Sequence, residues 1–598
     1  MTAASAETIL TNGRITTLNP MVPAATSVAI DGGRFVAVGS ERDTEPYRGA
    51  GTRVIDLNGH TVVPGLNDSH IHVIRGGLNF NMELRWDGVP SLSLALAMLR
   101  DQARRTPPPQ WVRVIGGWGE FQFAEKRLPT LEEINGVSPD TPVFVLHLYD
   151  RALVNGAALR VLGYTKDTPD PPGGEIRRDR AGNPTGLLIA RPNAMLLYAS
   201  LAKGPKLGFD DQLNSTRLFL RELNRLGLTS AIDAGGGFQN YPDDYHVIGE
   251  LARRDELTLR IAYNLFTQRP GGEYDDFARW TGMTAPGEGG DTFKVNGAGE
   301  MLVFSAADFE DFPEPRPELL PTMEAQLQKV VRLLAEKRWP FRLHATYDES
   351  IGRFLDVFEG VDREVPFQGL RWFFDHAETI SDKNLERVTR LGGGIAIQDR
   401  MAFQGEYFVA RYGAAAARRS PPVARMLAMG IPVGAGTDAT RVASYNPWVS
   451  LKWLVSGRTV GGLKLYDVRN RLDRTTALRL YTEGSAWFSG DEGLKGRIAA
   501  GRLADLAVLS ADYFAVPEEE IGGIESLLTV MGGRIVHGAG EFTSLAPPLP
   551  PASPGWSPVT SFGGAWSRSE RLPRAAAAAR TFRHGGRHAR GGCGCLAF

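Results

Sequence analysis

The sequence predicts an α/β fold: a closed (β/α)8 barrel of the TIM type, with a small β-sandwich formed by the two chain ends and an inserted α/β lobe. Three observations lead there. Short apolar strands alternate with helical stretches through the middle of the chain, the pattern of a parallel sheet. Eight such strands can be counted, the number that closes a barrel. Both ends of the chain instead show a strand-and-turn texture.

Taken in order, residues 1–63 alternate short apolar runs with Gly and Asn turns (TILTNGRITTL, SVAIDGGRFVAVGS, RVIDLNGHTVVPG), which reads as a β-meander and the N-terminal part of the sandwich. Residues 64–90 carry the first barrel strand, VVPGLNDSHIH. The stretch 91–204 is far too long for a single connecting helix and holds its own strands (WVRVIGGWGEFQF, TPVFVLHLYDRALV, GGEIRRDRAGNPTGLLIA), so it is the inserted lobe over the barrel mouth. The rest of the barrel fills 205–489, with strands GLTSAIDAG, LRIAYNLFT, DTFKVNGAG, PFRLHATY, LRWFFDHA, GGIAIQ and IPVGAGTDA. Strand texture returns over 490–545 (LADLAVLSAD, LLTVMGGRIVHGAGEF), with Gly532 and Gly533 as the turn. Neither strand-rich end is long enough for a stable sheet of its own, so the two are expected to pair. Residues 546–598 are rich in Pro, Ala, Arg and Gly and too poor in large apolar side chains to fold alone, so a flexible tail is expected.

At 598 residues the chain exceeds what one hydrophobic core holds. With 42% hydrophobic residues, 23% charged residues and a net charge of −1, nothing favours nucleic acid or an anionic membrane as partner. No run of eighteen apolar residues occurs, and the start lacks a basic, then apolar, leader. The only cysteines, Cys593 and Cys595, sit where no disulfide would staple a fold, which fits a reducing cytoplasm. The expectation is a cytoplasmic, homodimeric protein acting on a small molecule.

The chain has ten histidines, and His70, His72, His344 and His376 each fall at the C-terminal end of a proposed barrel strand, the end that carries active sites in such barrels. His70 and His72 are two apart in an extended segment, so both side chains leave the same face. Asp438, in AGTDA, ends the eighth strand. A single buried histidine is more often a hydrogen-bonded core residue, and an aspartate after a strand is more often a helix cap. Five metal-competent side chains at equivalent ends of four strands outweigh those readings. Imidazole and carboxylate suit zinc or a comparable divalent ion, one or two per site. His584, His588, Cys593 and Cys595 in the tail form a weak second pattern, for which a passive tail is the better reading.

The sequence over about residues 7 to 545 resembles the amidohydrolase superfamily and, within it, the YtcJ-like (amidohydrolase 3) family. The resemblance rests on VVPGLNDSHIH, GGWGEF, YDRALVNGAAL followed by GGEIRRDRAGNPTGLL, and the closing GRLADLAVL. It implies that Lys294, in TFKVNG, is a candidate carbamylated metal bridge, against the plainer reading of a lysine paired with a carboxylate such as Glu300 or Asp438. Trp118 and Glu120 are candidates for the mouth of the site, and Arg151 and Glu300 for substrate contact. Relatives tend to read VKIFADG where this chain has FKVNGAGEMLVF, and HAIGDRA where it has HATYDES, so substrate preference does not transfer.

The expected chemistry is hydrolysis: a divalent ion lowers the pKa of water towards neutrality, Asp438 acts as general base, and His376, where it is not a tight ligand, stabilises the oxyanion. The residues alone allow ester or phosphoester cleavage, and the resemblance implies an amide-type C–N bond. The alternatives are a metal-dependent esterase or deaminase, a non-hydrolytic isomerase or decarboxylase on the same barrel, and an inert binding or regulatory protein. The intact ligand set argues against the last.

Overall fold

A computed structural model describes residues 5–566 apart from 172–173, 191–193, 238 and 310–311. Eight parallel strands form the central sheet in sequence order: β1 (Leu66–Ile71), β2 (Leu228–Asp233), β3 (Arg260–Leu265), β4 (Phe293–Ala298), β5 (Phe341–Ala345), β6 (Trp372–His376), β7 (Gly394–Gln398) and β8 (Val433–Gly436). Side chains on both faces of β1, β2, β3, β5, β6, β7 and β8 are buried, which fits the apolar runs of most of these segments, while β1 (LNDSHI) buries polar side chains at the site. Two backbone bonds link the last strand to the first beyond the ladder: Asp438 N donates to His70 O at 2.8 Å, and His72 N to Ala439 O at 2.8 Å. Closure therefore falls on the segments that carry three of the proposed ligands.

Amphipathic helices cover the outside. In Phe209–Arg225, Leu213, Phe219, Leu220 and Leu223 recur at helical spacing and are buried, while Asp210 and Asp211 stand in the first turn, where the helix dipole favours negative charge.

The chain ends build two further sheets. One joins Arg34–Gly39, Ser27–Asp31, Thr8–Thr11 and Arg53–Asp56. The other mixes both ends: Arg534–Gly538, Ser526–Met531 and Leu506–Leu509 continue into Thr61–Pro64, Arg14–Thr16 and Ala24–Ala25. Ile15, Val28, Phe35, Val62, Leu506 and Leu528 fill the core between them. Arg260, in β3, fastens this unit to the barrel, with Nε 2.8 Å from Asp505 Oδ2 and Nη2 3.1 Å from Oδ1, and Gly532 N also donates to Asp505 Oδ1 at 2.7 Å.

The inserted lobe has a six-stranded sheet ordered Gly174–Arg178, Pro184–Ala190, Arg151–Val154, Val143–His147, Val112–Val114 and Glu83–Leu84. Its edge strand comes from before residue 91, so the lobe takes part of the segment assigned from sequence to the barrel. A second correction concerns the tail. Residues 546–566 are not loose: Ser553 N donates to Asn214 Oδ1 at 2.9 Å, Gln102 Nε2 to Trp556 O at 2.8 Å, and Trp566 N to Asp87 O at 2.9 Å. A segment that cannot build a core of its own is ordered here by polar contacts to the lobe and to the helix Phe209–Arg225. His584, His588, Cys593 and Cys595 lie outside the described residues.

Both members of the Arg260–Asp505 pair are more than nine-tenths buried. Removing one partner of such a pair leaves an uncompensated charge and costs about 3–5 kcal/mol. Asp505→Ala is therefore expected to lower the melting temperature clearly. An equal shift in a control that removes the exposed Arg253 partner of Glu250 would show that the pair does not fasten the sandwich to the barrel.

Candidate metal centre

The ligand candidates meet at the C-terminal mouth of the barrel because each ends, or directly follows, its strand. His70 lies in β1 and His72 just beyond it, His344 in β5, His376 at the end of β6, and Asp438 two residues after β8. His376 and Asp438 have left-handed backbones, with φ of 77° and 55°, which turn the chain sharply at the strand ends.

Glu300 joins them. Its carboxylate lies 3.5 Å from His70 Nε2, 3.6 Å from His72 Nε2, 3.3 Å from His344 Nδ1 and 3.6 Å from His376 Nε2. It touches all four imidazoles at the centre of the cluster, and it also lines the cavity, where the sequence reading expected a substrate contact. Gly299 sets it there: at φ +108° it passes Arg342 O so closely that a Cβ would sit 2.0 Å away. Asp438 Oδ1 completes the group, 3.3 Å from His70 Nε2 and 3.1 Å from His72 Nε2.

Lys294 does not belong to the site. It is the second residue of β4, at the opposite end of the strand from Glu300, and its Nζ lies 2.6 Å from Asp491 Oδ1 and 3.0 Å from Ser489 O. At about 3.3 Å per residue the two strand ends are too far apart for its side chain to span. Carbamylation at Lys294 would not reach the cluster, and the carboxylate pairing it with the fold is Asp491 rather than Glu300 or Asp438.

Second partners orient the rings. His70 Nδ1 lies 3.0 Å from Asp375 Oδ1, and Arg342 Nε donates to Asp375 Oδ2 at 2.8 Å, all fully buried. His72 Nδ1 contacts the Gly235 carbonyl, which leaves Nε2 facing Asp438. This is the arrangement that fixes the tautomer of a metal-binding histidine. His70 Nε2 itself is buried without a hydrogen-bond partner. Burial opposes charge on His70, but Asp375, Glu300 and Asp438 outweigh it and push its pKa up to about 10. Burial, with Arg400 and His344 nearby, holds His376 well below the usual histidine value, so it stays neutral. Burial would raise Asp438, but His70, His72 and His376 keep it an anion. Three overlapping sets, His70 with His376 and Asp438, His70 with His72 and Glu300, and Glu300 with His344 and His376, bring their donor atoms within 4.8 Å of one another. An orphaned imidazole nitrogen that faces two carboxylates among three further imidazoles fits a divalent cation held by His70, His72, Glu300, His344, His376 and Asp438.

His72, Glu300, His344 and Asp438 open onto a cavity of about 430 Å³, walled by Phe266, Phe304, Phe309 and Met301 and by Tyr149, Tyr198, Arg75, Arg400 and Arg441. The sequence reading missed the three arginines. For Arg75 the signal was present, since it follows His72 by three residues, and on a helix that places it on the same side.

Trp118, Glu120 and Arg151 stand apart from this wall. Trp118 is buried in the lobe, its Nε1 donating to Leu146 O at 3.0 Å and its ring stacked on Phe123. Glu120 Oε2 lies 2.8 Å from His147 Nε2 and also accepts from Tyr407 OH, while Asp150 holds His147 Nδ1 at 2.9 Å and pairs with Arg151. The three form part of a buried network that ties the lobe to the barrel helix Arg400–Ala417. Burial opposes charge on His147, but Asp150 and Glu120 prevail and raise its pKa to about 9 from an ordinary 6.5. Its stabilising contribution is thus full below pH 6.5 and is lost as pH rises through about 9. Thermal stability is expected to fall over this window, and the fall should be smaller in His147→Gln; identical pH curves for the two proteins would refute the role of the network.

The Bacillus subtilis protein YtcJ, itself an amidohydrolase by assignment, is 26% identical over 537 residues, covering 86% of this chain and 96% of its own. The N-substituted formamide deformylase of Arthrobacter pascens is 25% identical over 544 residues, covering 88% and 97%. Among solved structures, a metal-dependent hydrolase of Pyrococcus horikoshii superposes with a TM-score of 0.63 at 20% identity, covering 86% of this chain and 99% of that one. The sequence profile of the amidohydrolase family matches residues 53–537, spanning the barrel, the lobe and about half of the sandwich strands, and the chain belongs to that family.

Proposed function

We propose that this protein hydrolyses an amide-type C–N bond of a small molecule, with Asp438 as general base and zinc as the resident ion. The observation that carries this reading is the position of the Asp438 carboxylate: it lies within 3.3 Å of both His70 and His72 and opens onto the cavity. Zinc fits a set dominated by imidazole with carboxylates. The preference for C–N bonds is supported by the family and by the formamide deformylase among its members.

A divalent ion, when bound, supplies Lewis acidity that polarises the substrate carbonyl and makes water more acidic. The chain's own residues do the rest. As water oxygen bonds to the carbonyl carbon, Asp438 takes its proton, and as the C–N bond breaks, Asp438 returns that proton to the departing nitrogen, leaving an acid and an amine. The histidines around Asp438 keep its carboxylate unprotonated at neutral pH, the form a general base needs. His376 does not line the cavity and sits behind Glu300, so we assign it as a ligand rather than as the oxyanion donor. The apolar walls exclude bulk water from the reacting bond.

Asp438→Asn is expected to retain much of the metal while turnover falls by about 10²- to 10⁴-fold. His70→Ala is expected to lose metal and activity together, since it deletes a ligand. Metal content by emission spectroscopy and turnover on a panel of N-acyl and N-formyl compounds check both. An Asp438→Asn enzyme with near-normal turnover, or wild-type protein fully active after chelation, would refute the mechanism.

A further inference from the structure

Beyond the metal centre, the cavity ends on two arginines that the proposed hydrolysis does not use. Arg75 and Arg441 are each only 8% exposed and both line the cavity. Each follows a ligand by three residues, Arg75 after His72 and Arg441 after Asp438, so both stand beside the reaction centre by construction. Between them lies Tyr198, with the Arg441 guanidinium 4.3 Å and the Arg75 guanidinium 5.9 Å from its ring centre.

Among the described residues neither guanidinium has a hydrogen bond or an ion pair, and Arg75 Nε is fully enclosed without a partner. The carboxylates whose charge they feel are committed elsewhere. Asp233, facing Arg75, accepts from the amides of Ile74 and Gly235, both at 2.8 Å. Glu83, facing Arg441, is 3.0 Å from Arg85 Nη1. Burial, with Arg75 close by, depresses the Arg441 pKa below the ordinary arginine value. An arginine does not escape such a position by losing its proton, so two like charges are enclosed side by side with no counter-ion of their own.

We propose that Arg75 and Arg441 form an anion subsite that takes the carboxylate of the substrate. On the reading of this site as an amidohydrolase, on which the proposal rests, the substrate is an amide with a carboxylate on one side of the C–N bond and an apolar group on the other, as in an N-acylated amino acid. A run of ring contacts spans the two ends of the cavity: Tyr198 to Tyr149 at 5.6 Å, Tyr149 to Phe309 at 6.1 Å, and Phe309 to His344 at 4.9 Å. These rings wall the path between the carboxylate clamp and the metal centre and suit an apolar acyl group. Planar guanidinium forks bind carboxylate by paired, charge-assisted hydrogen bonds, which lysine does not reproduce.

The test is binding, so it does not depend on turnover. N-Benzoylglycine, N-acetylphenylalanine and N-phenylacetylglycine are titrated calorimetrically into the metal-loaded protein alongside their uncharged primary amides. At least one acid is expected to bind tenfold or more tightly than its amide, and Arg75→Met and Arg441→Met should each erase most of that preference while metal content stays unchanged. Arg441→Lys keeps the charge without the fork and guards against a misfolded methionine variant; it should retain only part of the preference. Acids and amides binding alike throughout, or a preference that survives both methionine variants, would overturn the proposal. A preserved acid preference in a protein that hydrolyses none of the amides would instead strike at the proposed reaction and leave the subsite standing.

Discussion

Four imidazoles and two carboxylates packed at the mouth of a buried barrel are tolerable only when their charges cancel, and this balance is the constraint around which the rest of the molecule is arranged. Glu300 lies within 3.6 Å of all four histidines, and Asp438 within 3.3 Å of two. A cation at their centre turns a costly enclosure of charge into a satisfied one. The fully buried Arg342–Asp375 pair behind His70 extends the same balance outward, since it fixes the ring and neutralises the carboxylate that steadies it.

The barrel supplies the rigidity this arrangement needs. The candidate ligands come from strands β1, β5 and β6 and from the segments following β1, β4 and β8, so no single stretch of chain determines the geometry. The backbone bonds between His70 and Asp438 and between His72 and Ala439 place ring closure and site assembly in the same few residues. At the other end of β4, Lys294 pairs with Asp491, away from the cluster. The separation follows the general division of such barrels, in which chemistry sits at the C-terminal ends of the strands and stability at the N-terminal ends.

The lobe gives the site its outer character. Tyr149 and Tyr198 come from it, whereas Arg75 and Arg441 come from segments leaving the first and eighth barrel strands. The His147 network holds the lobe against the barrel helix that carries Tyr407, and so fixes how far the aromatic wall stands from the metal centre. Trp118, Glu120 and Arg151, which the motifs marked as candidates for the mouth, contribute to this bracing rather than to the wall.

The eight strands and the positions of His70, His72, His344, His376 and Asp438 were legible in the sequence because they rest on local periodicity: a two-residue repeat sets the face, and a short apolar run sets the strand. The fit of the two chain ends into one mixed sheet lies in pairings such as Leu506 with Pro64, far apart in sequence. Glu300 at the centre of the cluster, Lys294 at the wrong end of its strand, the Arg75 and Arg441 pair, and the docking of residues 546–566 depended on tertiary structure. A side chain's role there follows from where its strand begins and from what a distant segment brings opposite it; Arg75 and Arg441, 366 residues apart in sequence, meet across one tyrosine only once the eighth strand closes on the first.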